Sequence, residues 1–335
     1  MPKRRIVDLR ENNRPLLDVV SYGRRGPAHR PLSKADVAHI SRTVRRAPEV
    51  LVKVSGGARS LRGVAQHLDY IGREGRGEVR TDDGDRLQGM GFEKALLKDW
   101  DLDLEAHRRY SERAIIAGRK PPKLVHNLVF SMPKGTPPDK VLRAVQVFGR
   151  EKFALKHRYA MALHVDQGNP HVHMVVKAVS EQGVRLYIRK PMLREWRGDF
   201  AQYLRDQGVE ANATERAVRG ETRITKRDGI HRAMLRGEST HMRARANAIG
   251  RELAAGRLTP ESGKRVLLET RKAVLVGWRG LAEILERDGN PQLASTVRRF
   301  ADTMPPPRTE KECIAHQIEA KITARGRAED RVPTT

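Results

Sequence analysis

Apolar and polar positions along the chain follow two periods, and each switch between them marks an element. Residues 49–54, EVLVKV, alternate as a strand does, and Ser55-Gly56-Gly57 turns the chain. From Ser60 to Arg73 the pattern becomes helical, with Leu61, Val64, Leu68 and Ile71 on one apolar stripe. At ~100° per residue Tyr70 falls about 180° from Leu61, on the polar side with His67 and Arg73, so it faces solvent or a cleft. Residues 75–85 are rich in Gly and Asp and read as a loop. A helical pattern spans residues 92–117, with apolar Leu96, Leu97, Leu102 and Leu104; its acidic positions Asp99, Asp101, Asp103 and Glu105 read as a solvated face.

Further on, LVHNLVFS at 124–131 is a strand, a helix runs over 138–157, and a second strand ends at His164. A Gly-Asn-Pro turn leads into a returning strand from His171, VRLYI at 184–188 reads as a further short strand, and 191–207 is a helix packed through Trp196, Phe200 and Tyr203. This order predicts an α+β fold, a central antiparallel sheet covered by helices on one face. The last hundred residues read as all-helical. Thr259-Pro260 is expected to open one helix and Gly289-Asn290-Pro291 to break the chain, with Val266, Leu267, Val274, Leu275, Trp278, Leu281 and Leu285 forming a small bundle. Three regions follow: a basic N-terminal arm (1–47), a main domain (48–225) and a helical C-terminal region (226–335). Within the arm, Ser33 caps a short helix bearing Val37, Ile40 and Val44.

Charge narrows the partner. The 335 residues carry a formal net charge of +25, and the pI is about 10.8, so the expected partner is a polyanion. Nucleic acid fits better than a membrane, because no apolar run approaches the roughly 20 residues of a spanning helix. The basic start lacks the apolar stretch of a secretory signal, and a single cysteine, Cys313, leaves no intrachain disulfide framework; both suit a cytoplasmic setting. Aromatic residues make up 4% of the chain, which argues against extensive base stacking and leaves DNA reading to polar and arginine contacts.

The candidate chemistry lies in the hairpin AMALHVDQGNPHVHMVVKAV at 160–179. In a strand, His171 and His173 point the same way while Val172 points the other. His164 lies across the turn, and a matching register brings three imidazoles together as ligands for a divalent ion. Asp166 and the carbonyls of the turn are candidate acceptors that fix the imidazole tautomers. The plain alternative is that three of twelve histidines fall together in a hairpin.

These segments resemble those of plasmid relaxases in the HUH endonuclease superfamily, T-DNA border endonuclease branch. LHVDQGNPHVHMVV is similar to their His–hydrophobe–His motif, VSGGARSLRGVAQHLDYIGREGR to the motif bearing the nucleophilic tyrosine, and HNLVFSMPKGT to the motif whose serine contacts DNA near the cleavage point. ATERAVRGETR at 213–223 resembles the segment after the nuclease core. The resemblance covers about residues 50–235 and implies Tyr70 as nucleophile, Ser131 at the cleavage point, and His164, His171 and His173 on Mg²⁺ or Mn²⁺, with Zn²⁺ as an alternative. Asp166 joins the catalytic set, and Arg59, Arg62, Arg73 and Lys134 join Ser131 in holding DNA. It further implies nicking of single-stranded DNA at an origin of transfer through a 5′-phosphotyrosine. Relaxosome accessory proteins and a type IV secretion coupling protein are the implied partners, with passage to a recipient cell alongside the DNA. Tyr22, in VVSYGRRG, is the rival nucleophile. Rival functions are a replication initiator or transposase of the same superfamily, a hydrolytic metallonuclease, and a basic DNA-binding protein without catalysis.

Overall fold

The structure is a computed structural model, which describes residues 17–24, 32–102, 112, 115–166, 168–222, 230, 233, 234 and 236–329. In chain order its elements are α1 (Val19–Arg24), α2 (Lys34–Val44), β1 (Leu51–Gly56), α3 (Leu61–Ile71), β2 (Val79–Thr81), β3 (Arg86–Leu87), α4 (Phe92–Asp99) and β4 (Val125–Ser131). Then come α5 (Pro138–Phe153), β5 (Tyr159–His164), β6 (His171–Lys177), α6 (Lys190–Asp206), α7 (Thr240–Ala254), α8 (Lys264–Arg287), α9 (Pro291–Asp302) and α10 (Glu310–Glu329). The chain divides into two compact units: Arg45–Thr214, and Leu17–Val44 together with the chain from Glu215 onward.

The first unit is an α+β fold around a six-stranded antiparallel sheet in the order β1-β4-β6-β5-β2-β3. Residues opposite one another across a ladder share a face, so the register sorts the strands into two sets. Val52, Leu128, Phe130, Met161, Val172, Met174 and Val176 point one way, packing under α5 and α6 through Val145, Phe148, Trp196 and Phe200. Val125, Ala160, Ala162 and Val175 point the other way, under Val64, Leu68 and Ile71 of α3 and Phe92 and Leu96 of α4. Helices therefore cover both faces rather than the single face expected from sequence. Every residue of β6 is buried, as a strand with neighbours on both edges and both faces requires.

Two local expectations change. VRLYI forms no strand: Val184 and Leu186 spend backbone bonds on Ser180 and Ala178, in the turn they follow. The segment makes one isolated bridge, Val179 to Arg185, and tucks Leu186 and Ile188 against the core. Conversely, β2 and β3 lie where a loop was expected or just beyond it. Strands of three and two residues are too short for alternation to register. In the expected helix over 92–117, residues 103–111, 113 and 114, including Asp103 and Glu105, lie outside the described residues.

In the second unit Leu17, Val19, Ile40 and Val44 are buried with Val274, Trp278, Leu281, Val297 and Phe300. This part of the expected N-terminal arm thus packs with the C-terminal helices. The backbone of α1 crosses α8 at Gly277, where an added Cβ would stand 2.2 Å from the Val19 carbonyl oxygen. The Trp278 indole donates to the Val218 carbonyl at 2.9 Å. Thr259 does not open a helix: its hydroxyl and amide donate to Glu252 at 2.9 and 3.0 Å, and α8 starts at Lys264. Residues 1–16 and 25–31 of the arm and 330–335 of the tail lie outside the described residues. Among the described residues, no helix is long and apolar enough to cross a membrane.

Candidate active site

The β5–β6 hairpin sets His164 directly opposite His171, with His173 opposite Ala162. All three histidines therefore project from one face of the sheet, and the small Ala162 leaves room beside the His173 ring. Ring centroids are 4.6 Å apart for His164–His173, 5.1 Å for His171–His173 and 5.4 Å for His164–His171. All three are buried, and one ring nitrogen from each lies within 4.8 Å of the others.

Backbone carbonyls fix two tautomers. A carbonyl only accepts, so His164 donates from Nε2 to the Ile71 carbonyl at 2.8 Å, leaving Nδ1 unprotonated. His171 donates from Nδ1 to the Asn169 carbonyl at 2.9 Å, so Nε2 is its ligand atom in the neutral ring. The orphan atoms are telling. His164 Nδ1 and both nitrogens of His173 are buried without a hydrogen-bond partner. Three imidazoles with one nitrogen each within 4.8 Å of the others are a donor set that fits a divalent ion. His173 is held neutral, its pKa pushed down to about 3 by burial and then by its neighbours His164, His171, His67 and Arg73. Burial also lowers His164, with Arg73 and His171 acting the same way against the raising effect of the Ile71 bond.

Helix α3 carries Tyr70 to this cluster. Ser60 caps its start, accepting from the Gly63 amide at 3.2 Å. Its end comes as Arg73, Glu74 and Gly75 turn left-handed, at φ 54°, 55° and 83°. Carbonyls in a last turn lack helical partners, and that of Ile71 takes the His164 proton. On the preceding residue, the Tyr70 side chain stays half exposed, at 50%. Its ring stands edge-on to His173 at 5.7 Å and to His164 at 6.1 Å. His67, one turn earlier, stacks against Tyr70 at 5.9 Å and meets His173 edge-on at 6.4 Å. Its Nε2 is buried without a partner and burial lowers its pKa.

The remaining residues divide. Ser131 ends β4 directly opposite His171, so it lies on the histidine face, with its hydroxyl 3.4 Å from the Met132 carbonyl. Asp166 does not take an imidazole proton as expected: it pairs with Arg73, and the Ile71 and Asn169 carbonyls serve instead. The Asn169 carbonyl was among the turn acceptors foreseen. The Ile71 carbonyl was not, since no sequence signal announces a contact between residues 93 positions apart. Arg73 thus ties the end of α3 to the hairpin, and its free charge for DNA is reduced by Asp166. Arg59 donates to the Pro121 carbonyl at 2.6 Å; Arg62 and Lys134 are exposed. The side chain of Tyr22 lies outside the described residues.

Residues 81–209 match the family model for relaxases, the MobA/VirD2-like nuclease domain. That stretch holds Ser131 and the three histidines, and Tyr70 precedes it. The T-DNA border endonuclease VirD2 of Rhizobium radiobacter is 25% identical over 186 residues, covering 51% of this chain and 43% of the relative. The protein of the same name from Agrobacterium fabrum is 24% identical over 188 residues, covering 52% and 41%. The chain therefore spans less than half the length of either relative. On these matches, joined to an antiparallel sheet carrying a buried histidine cluster, residues 81–209 are similar to the nuclease domain of MobA/VirD2-like relaxases.

Proposed function

We propose that the chain is a conjugative relaxase, nicking one DNA strand at an origin of transfer by transesterification with Tyr70 as nucleophile. The observation that carries this reading is the half-exposed Tyr70 ring set against His164 and His173, whose unpartnered nitrogens support an ion site there. His164 through Nδ1, His171 through Nε2 and His173 would hold Mg²⁺ or Mn²⁺. When bound, the ion supplies a Lewis acid that withdraws charge from a phosphate oxygen.

The chain's own groups do the rest. The Tyr70 oxygen attacks phosphorus, the P–O3′ bond breaks, and the products are a 5′-phosphotyrosine and a free 3′-OH. One phosphodiester replaces another, so the reverse reaction rejoins a strand after transfer. The phenol loses its proton as the new bond forms, with His67, stacked on the ring, as the proposed acceptor, and the departing 3′ oxygen takes up a proton from solvent. Ser131 is proposed to hold the strand near the scissile phosphate, with Arg62 and Lys134 on flanking phosphates. Asp166 is proposed to act through Arg73, holding α3 to the hairpin. The adduct would pilot the strand out of a cytoplasmic relaxosome, with accessory proteins and a type IV secretion coupling protein as partners.

The test uses supercoiled plasmid carrying the DNA that flanks this gene, with Mn²⁺ and a detergent stop. A protein–DNA adduct mapped by mass spectrometry to Tyr70, and lost in Tyr70→Phe with its circular dichroism unchanged, is the expected result. An adduct on another residue, Tyr22 included, would overturn the nucleophile; nicking without an adduct would make the chain a hydrolase.

A further inference from the structure

On the sheet face turned away from the histidines, an open pocket of about 330 Å³ lies between β2, β5 and α5. Tyr159 and Met161 on β5 line it, and Arg80, paired in register with Met161, flanks them on β2. The opposite wall is a single stripe of α5, formed by Arg143, Gln146, Val147 and Arg150 at spacings of three, four and seven residues. A helical stripe turned toward a sheet is ordinarily apolar. This one sets two guanidiniums and an amide around one valine.

The donors are under-used. Arg150 and the side chains of Gln146 and Tyr159 have no hydrogen-bond or ion-pair partner among the described residues. Arg143 pairs with Asp139 at 2.9 Å, but the two side chains are 62% and 57% exposed, a weak hold in water. Arg80 is the more committed, to Glu78 at 2.6 Å. Asp82 is the one carboxylate in the lining, and it is already bound by Arg158 at 2.7 Å and by the Tyr159 amide at 3.1 Å. The cavity thus presents three guanidiniums and one compensated acid, with neutral donors and two apolar side chains beside them. Its volume falls at the lower end of small-molecule sites, roughly 300–1,000 Å³, and exceeds what an inorganic anion needs.

We propose that this cavity is a nucleoside-phosphate site, separate from the nicking centre. Arg150 and Arg143 take the phosphate as forked donors, Gln146 and Tyr159 meet polar atoms of the sugar or base, and Val147 and Met161 offer the base an apolar surface. The same chemistry is presented by a free nucleotide and by one nucleotide of a DNA strand.

The experiment uses the full chain in EDTA, where the histidine site is silent. The protein is titrated with dAMP, with inorganic phosphate and with a short labelled single strand. Arg143→Glu/Arg150→Glu should weaken dAMP binding by at least about tenfold. The charge-matched Arg265→Glu/Lys272→Glu, in the second unit, should leave it unchanged. Val147→Phe, which fills the cavity without altering charge, should weaken it as well, and circular dichroism checks each fold. Parallel loss of strand affinity in Arg143→Glu/Arg150→Glu but not in the control assigns the site to DNA. Loss confined to dAMP assigns it to free nucleotide. The proposal is overturned if dAMP fails to bind, if binding ignores both cavity variants, or if inorganic phosphate binds as tightly as dAMP.

Discussion

His173 is the most exposed to test of all the side chains in the site, because its burial has a measurable cost. The ring is 8% exposed, neither nitrogen has a partner, and its pKa is pushed down to about 3. In an unfolded chain the same imidazole titrates near 6.5. Between these values the unfolded state binds more protons, so the stability contribution is full above about 6.5 and drains as pH falls toward the folded value. Working the linkage for this one group gives a loss of about 2 kcal/mol between pH 7.5 and 5. At about 2–4 °C per kcal/mol for a domain of this size, that is about 4–8 °C in Tm. His173→Leu removes the titration and the unmet nitrogens together. In EDTA the variant should therefore equal or exceed wild type in stability at pH 7.5 and surpass it clearly at pH 5. Mn²⁺ should reverse the ranking. At a hundred times its Kd an ion stabilises the wild type by about 2.7 kcal/mol, and the variant should gain little. The assay is urea unfolding by circular dichroism at the two pH values, with EDTA or Mn²⁺. Identical pH dependence in wild type and variant would refute the buried-neutral-imidazole argument, and an intact Mn²⁺ shift in the variant would refute the assignment of the ligand.

Other consequences reach beyond this ring. Asp166→Asn should leave the Mn²⁺-induced shift in Tm at its wild-type size, because backbone carbonyls and not Asp166 orient His164 and His171; a lost shift would restore Asp166 to the imidazoles. Gly277→Ala places a methyl 2.2 Å from the Val19 carbonyl and should cost about 1–3 kcal/mol as α1 is displaced from α8, read as an earlier thermal transition. Arg62→Ala and Lys134→Ala, both exposed, should each reduce the slope of log K against log salt for single-strand binding by about 0.7. A slope unchanged in both would remove them from the DNA path.

The sequence made the hairpin readable for a specific reason. Strand alternation places His171 and His173 together from local information alone, and the tight turn leaves few registers for His164. The helical stripe from Leu61 to Ile71 likewise determined that Tyr70 points away from the core. What was not legible depends on contacts distant in the chain. The second helical layer could not be inferred from β6, because His171 and His173 stand on the face that α3 covers and read as a polar, open side. The segment 184–188 has strand-like composition, but its backbone bonds go to Ala178 and Ser180 in the turn it follows. Leu17 and Val19 sit in a basic, Pro-rich stretch whose average composition masks two buried positions. The Ile71 carbonyl is a backbone atom, available because a helix ends there, and side-chain patterns carry no trace of it.

That carbonyl also explains a division of labour within the site. His171 and His173 stand on the most enclosed strand of the sheet, with neighbours on both edges and helices over both faces, so their positions follow from the core. Tyr70 instead stands in the last turn of α3, where backbone hydrogen bonding runs out. The bond from His164 to Ile71 and the pair of Arg73 with Asp166 fasten that turn to the hairpin on either side of the helix end. The first fastening uses the same imidazole whose Nδ1 is proposed to hold an ion. Whatever draws on Nδ1 makes the Nε2 proton a stronger donor, so an ion held at the proposed site would tighten the link that holds the tyrosine beside it.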